Sequence, residues 1–230
     1  MMLNHILRNG HHRFVLFTVA AICIGLLEGC SLLGPSNSAQ SQRYAPDPRI
    51  TANPAWPSVD WQLSMSQPSA ARMIDTYRIV VRPTPDEIEV YKGAAWAKLP
   101  SDMLQDTITR ALEDSGRIPA IAFEASGIAA DYKLVLDIRR FEADYSGNHI
   151  PSAIIEVNAK LLHTVDQSIV GSHTFKQARQ ANSTDVASVV DSFSDTLKLV
   201  SGDITGWVLV TGNAHELNGH ARPPAGSTTR

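Results

Sequence analysis

The stretch from Asp131 to Tyr145, "DYKLVLDIRRFEADY", decides the fold. In an extended chain Tyr132, Leu134, Leu136 and Ile138 share one side, and Lys133, Val135, Asp137 and Arg139 share the other. That alternation predicts a strand with one buried and one wet face. Residues 152–165, "SAIIEVNAKLLHTV", set Ile155, Val157, Ala159 and Leu161 against Ile154, Glu156, Asn158 and Lys160. Residues 168–178, "SIVGSHTFKQA", keep Ile169, Gly171, His173 and Phe175 in phase. With short links between them, the three segments predict an antiparallel meander.

Two helices are predicted around this meander. Pro100 and Ser101 open one, which Met103, Leu104, Ile108, Ala111 and Leu112 line and Gly116 closes. The second follows residues 181–185, with Ser183 or Thr184 as its cap. Val186, Val189, Val190, Phe193, Leu197, Val200, Ile204 and Trp207 recur along it at helical spacing. Further strands are expected at 59–65, 75–83, 87–92 and 118–125. The sum is an α+β fold, a mainly antiparallel β-sheet with two helices packed on one face as a two-layer sandwich.

Outside this domain, read as 58–211, the composition changes. Residues 30–57 are rich in Ser, Asn, Gln and Pro without apolar period and read as a tether. A flexible tether of that length, at about 5–6 Å × √n, sets the domain roughly 30 Å from its start. Residues 212–230 read as a disordered tail. At the front, the uncharged run Phe14–Leu27 is short of the roughly 20 residues of a membrane span and suits a signal peptide over 1–29. No small-residue cleavage site follows it. Instead Leu27-Glu28-Gly29-Cys30 resembles the lipobox of bacterial lipoproteins, with Glu28 standing where that pattern has Ala, Ser or Thr. The resemblance implies cleavage before Cys30 and its fatty acylation. Ser31 in place of Asp then favours the outer membrane. An uncleaved N-terminal anchor, or an ordinary signal cut elsewhere, is the alternative.

The chain has two cysteines, Cys23 inside the signal and Cys30, so the domain holds neither a thiol nor a disulfide. The full chain's net charge of −3 argues against a nucleic-acid partner. No phosphate loop, metal-ligand spacing or nucleophile elbow is present. His149, His163 and His173 do not cluster; His173 is expected partly buried and His163 solvated at a strand end. Asp137 and Arg139 share a strand face, where an exposed ion pair worth about 0–1 kcal/mol is the ordinary reading. Trp96 and Trp207 are expected as core anchors at the helices, with an exposed partner or lipid surface as the alternative. These residues give no sign of an enzyme and imply no cofactor or metal.

The order of several motifs is more specific. Tyr91, Trp96, Pro100, Leu104 and Leu112 around the first helix, Tyr132, Leu134 and Phe141 on the strand, and the closing Trp207 resemble the ABC-type transport auxiliary lipoproteins. The resemblance runs from about Val59 to Leu209. It implies a non-catalytic lipoprotein on the periplasmic face of the outer membrane. Its partner would be an MCE-domain protein of an inner-membrane ABC system that moves lipids or other hydrophobic solutes. Tyr91, Trp96, Pro100, Tyr132, Phe141 and Trp207 become candidate partner or core residues, and Cys30 the lipid attachment site. A homo-oligomer matching a hexameric MCE tunnel is an option by analogy only. Two other readings stay open: a scaffold or assembly lipoprotein unrelated to ABC transport, and a periplasmic lipid-modifying or hydrolytic enzyme.

Overall fold

The computed structural model describes residues 41–220. The expectations for Cys30, for the signal and for residues 221–230 therefore lie outside the described residues. In chain order the elements are Gln42–Tyr44 (β1), Leu63–Met65 (β2), Ser69–Ala70 (β3), Arg78–Arg82 (β4) and Glu89–Trp96 (β5). The helix Pro100–Ser115 (α1), Ile121–Phe123 (β6), Tyr132–Asp144 (β7), Ser152–His163 (β8) and Ser168–Gln180 (β9) follow. The helix Val186–His215 (α2) runs on into a wide helical turn, Glu216–His220.

The opening stretch is β7, and the sheet is built on both its edges. One edge pairs antiparallel with β8 along its whole length, from Tyr132 opposite His163 to Asp144 opposite Ser152. The other is tiled by three short parallel strands: β2 at Tyr132–Leu134, β3 at Asp137–Ile138 and β4 at Ala143–Asp144. Along β2 and β3 and in the link between them, the hydroxyls of Ser64, Ser66 and Ser69 donate to the carbonyls of Tyr132, Leu134 and Leu136. Buried backbone acceptors are thereby satisfied without a full-length neighbour. The long pairings are antiparallel and the short ones mainly parallel, so the fold is α+β with a mixed, mostly antiparallel sheet.

The expected inward set Tyr132, Leu134, Leu136 and Ile138 is buried. Beyond it the phase changes, because Ile138 faces Val157 while Arg140 faces Glu156, leaving Arg139 as an extra residue. That bulge returns Phe141 and Ala143 to the core side. A second bulge sits in β9, where Leu161 faces Gly171 but Leu162 faces Ile169. Consequently Ile169 is 61% exposed, against the expectation that it continues the buried phase. His173 is also exposed, not partly buried; it lies on the open edge strand with its ring edge-on to Phe175 at 4.6 Å.

In α1 the expected residues Met103, Leu104, Ile108, Ala111 and Leu112 are buried, and Gly116 ends the helix in the left-handed conformation. Its first turn is capped from a distance: Asp75 accepts from both the backbone N–H and the hydroxyl of Ser101, each at 3.0 Å. The second helix starts after Asp185 rather than Ser183 or Thr184. Val189, Phe193, Leu197, Val200, Ile204 and Val208 are fully buried along it. The expected strand at 118–125 shrinks to β6, and that at 87–92 extends through Gly93 (φ 70°) to Trp96.

Both ends of the domain exceed the expected bounds. Residues 41–57 are a docked strap, not a tether. β1 pairs with β5, Arg110 and Arg49 hold Asp47 and Asp114, and Tyr44 and Trp56 pack on the core. The tail boundary at 212 falls inside α2, which continues to His215. Glycines explain both departures. Helix-interior Gly costs about 1 kcal/mol relative to Ala, yet α2 carries Gly206 and Gly212 because tryptophans lie on them. A Cβ at Gly206 would stand 2.5 Å from Trp56 Nε1, and one at Gly212 would stand 2.4 Å from the Trp61 ring.

The two sites should respond differently to a methyl group. Trp61 is 3% exposed and cannot yield. Gly212→Ala should therefore meet an overpacking cost of about 1–3 kcal/mol that outweighs the helix-propensity gain, lowering the urea midpoint. Trp56 is half-buried and can swing away. Gly206→Ala should leave global stability nearly unchanged while making residues 45–57 more sensitive to protease.

Candidate functional site

Of the residues singled out from the sequence, Trp96, Phe141, Pro100 and Tyr132 are buried. Trp96 meets Phe193 at 5.2 Å and Phe141 at 6.0 Å, both edge-on, and the two phenylalanines stack at 5.1 Å. This triad welds α2 and β5 to β7, so Trp96 is the core anchor expected. Tyr91 is half-buried against the core, and burial pushes its phenol above the ordinary range. Trp207 is half-buried, edge-on to Phe175 at 5.8 Å and close over Gly171. Its outer side joins Ile50, Trp56 and Val210 around an open hollow of about 660 Å³ between the strap and α2.

The charge group from Asp137 to Glu142 divides in two. Asp137 and Arg139 form the expected exposed pair at 3.7 Å. Arg140 and Glu142 instead belong to a shielded ladder on the sheet's outer face. Glu142, 2% exposed, takes both nitrogens of the Arg82 fork at 3.0 and 3.1 Å and Arg140 at 2.6 Å; Arg140 also reaches Asp144 at 2.6 Å. Burial acts to raise the Asp144 carboxyl, but hydrogen bonds from Arg140 and Ser146 outweigh it and hold it below its ordinary value. Every charge here is matched, and the ladder fixes β4 against β7. Among the described residues no group of three or more His, Cys, Asp or Glu could hold a metal ion.

The densest polar packing is at the end of the sandwich where β7 begins, β8 ends and α2 finishes. The Tyr132 hydroxyl lies 2.7 Å from His215 Nδ1 and 2.7 Å from Glu216 Oε1. A hydroxyl has one proton, so with the Glu216 carboxylate accepting it, His215 Nδ1 carries hydrogen and donates. Burial first, and the Glu216 bond second, push the Tyr132 phenol above its ordinary range. His163, expected to be solvated, is 6% exposed instead. Its ring packs 5.2 Å from Tyr132 and 5.0 Å from His215, and its Nδ1 donates to Asp166 at 2.9 Å. Hydrogen bonds from the Ser168 side chain and backbone, then from His163, hold Asp166 well below the carboxylate range. Trp61 covers Tyr132 at 4.7 Å. Asp131 accepts the Gln62 N–H at 2.8 Å, and Thr164 N–H donates to the Asp131 carbonyl.

This base carries an apolar rim. Ile128, Val165 and Leu217, each within three residues of the polar cluster, are 57%, 79% and 79% exposed. Apolar side chains that stand out from a cross-linked base form an exposed patch of the kind that marks contact surfaces. Tyr132 was legible in the sequence as a strand residue. His215 and Glu216 were not, because the segment after residue 211 reads as polar tail, and no local period announces that Trp61 shields it.

A family model for the ABC-type transport auxiliary lipoprotein component matches residues 43–205, and the chain belongs to that family. Protein XCC0632 from Xanthomonas campestris, a crystal structure, is 52% identical and superposes with a TM-score of 0.74 over 76% of this chain and 99% of that one. A second crystal structure, of an uncharacterized protein, is 15% identical, with a TM-score of 0.54 over 71% of this chain and 95% of that one, and shares the fold. A curated relative, an uncharacterized protein of Bradyrhizobium diazoefficiens, is 22% identical over 81% of this chain. The chain spans about half the length of that relative.

Two measurements check this end of the molecule. Tyr132→Phe removes the hydroxyl that Glu216 and His215 share; with water able to reach part of the site, the cost should be about 1 kcal/mol, with faster amide exchange in residues 213–220. Asp166 has a folded pKa below its ordinary value of 3.8, so its contribution is present above that value and is lost as the pH falls through the folded one. Asp166→Asn should therefore lose less stability than the parent between about pH 5 and about pH 2 in urea titrations.

Proposed function

We propose that this chain is the membrane-anchored auxiliary subunit of a transport system for lipids or other hydrophobic solutes. Cys30 carries the fatty acyl groups, the outer membrane holds them on its periplasmic face, and the domain docks on a periplasmic MCE-domain protein without catalysing a reaction. Family membership supports the transport role, and the polarity of the domain supports the docking. β1 is parallel to β5, β5 antiparallel to β4, and β4 parallel to β7. Followed backwards through β1, the chain therefore travels toward the Asp144 end of β7. The apolar rim of Ile128, Val165 and Leu217 stands at the other end, beside Tyr132. The observation that carries the reading is this opposition: β1, followed backwards, heads toward the Asp144 end of β7, and the exposed rim of Ile128, Val165 and Leu217 stands at the Tyr132 end.

Photocrosslinking groups placed at Val165 or Leu217 in living cells should capture an MCE-domain protein, whereas one at Lys160 on the outer sheet face should not. Capture that is equal at all three positions, or that never includes an MCE-domain protein, rejects the docking. Cys30→Ser should move the protein from the membrane to the soluble fraction and abolish transport; unchanged fractionation rejects the anchor.

A further inference from the structure

We infer that the rim at the Tyr132 end is built for one kind of surface, an apolar socket ringed by lysine or arginine side chains on another protein. This rests on the docking reading above and adds the chemistry that the partner must present. Each exposed apolar residue of the rim has a carboxylate within three residues: Asp131 for Ile128, Asp166 for Val165 and Glu216 for Leu217. No lysine or arginine lies within three residues of any of them. Lys133, the cation at the start of β7, is tied to Glu124 at 2.6 Å, and Arg117, before β6, donates to the Ser58 hydroxyl at 3.1 Å. The rim is apolar at its tips and acidic at its foot.

The carboxylates are also held in place. Asp131 accepts the Gln62 N–H at 2.8 Å, and Asp166 accepts the Ser168 N–H at 3.0 Å and His163 Nδ1 at 2.9 Å. Glu216 accepts the Tyr132 hydroxyl at 2.7 Å through Oε1, and its Oε2 has no hydrogen bond among the described residues. An acceptor fixed before contact loses little freedom when a guanidinium or ammonium arrives. Charge also selects the occupant. A surface that lies on anionic phospholipid carries lysine and arginine beside its apolar side chains, the reverse of this rim. A second copy bound face to face would bring the same carboxylates against one another. A different protein with a basic border around an apolar patch meets both halves of the pattern, burying Val165 and Leu217 while it pairs with the acids.

The test uses the lipidated full chain, purified in detergent, and the purified MCE-domain protein that the crosslinks at Val165 and Leu217 identify. Val165→Glu, Val165→Arg, Leu217→Glu and Leu217→Arg each replace a tip that is 79% exposed, so all four should keep the parental urea midpoint. At low salt the arginine variant at either position should bind at least about tenfold more weakly than the glutamate variant. The gap should close as salt is raised toward about 1 M, where the screening length falls to about 3 Å. Equal affinities for the two charge types, or tighter binding by the arginine variants, overturn the inference and leave the docking reading standing. A parent chain that binds no MCE-domain protein refutes the docking reading, and the inference falls with it. Binding of the Cys30→Ser chain to phosphatidylglycerol vesicles that Leu217→Glu abolishes would make the rim a lipid surface and likewise overturns the inference.

Discussion

The structure depends on satisfying both hydrogen-bonding edges of β7. Buried on one face and flanked on both sides, this strand exposes none of its peptide groups to bulk water, so each needs a protein partner. β8 supplies one edge along its whole length, with one bulge at Arg139. The other edge is completed in pieces by β2, β3 and β4, with the hydroxyls of Ser64, Ser66 and Ser69 adding bonds to its carbonyls. The segment from 63 to 82 must therefore lie along β7 in sequence order. That placement sets Trp61 over Tyr132 at one end and Arg82 against Glu142 at the other. The two ends of the domain inherit their different chemistry from this one constraint.

The second device is close approach of indole rings to glycine. Trp56 on Gly206, Trp61 on Gly212 and Trp207 on Gly171 each occupy space that a methyl group would deny. A large flat ring lying on bare backbone removes apolar area from water and excludes solvent from nearby peptide groups. Through Trp56 the strap becomes part of the domain, and through Trp61 the last turns of α2 close over the polar cluster. These contacts make residues 41–57 and 212–220 part of the folded domain.

The charged groups support an architectural role. The Arg82–Glu142–Arg140–Asp144 ladder places its carboxylates against guanidinium partners and leaves no unmatched nucleophile or base. The Tyr132 cluster likewise uses its titratable groups to tie three elements together. In both places the charged and polar groups are spent on holding strands and helix together.

By itself the sequence determined the elements whose faces are written in local period. The alternation of β7 and β8, the α1 face from Met103 to Leu112, and the α2 stripe from Val189 to Ile204 needed only neighbours two, three or four residues away, and the order of motifs from Tyr91 to Trp207 pointed to the family. Tertiary structure alone decided what depends on distant partners. The bulges at Arg139 and Val170 shift the buried phase because opposing strands, not the strand's own residues, fix the register. His163 is buried because the end of α2 packs over it, and His173 is exposed because it lies on β9, the open edge strand of the sheet. Residues 41–57 and 212–220 read as polar linkers, yet they are ordered by a tryptophan and a tyrosine whose partners lie about 80 to 150 residues away in the chain. Local pattern carries no record of such contacts, since their free energy is realised only when the sheet and helices are already in place.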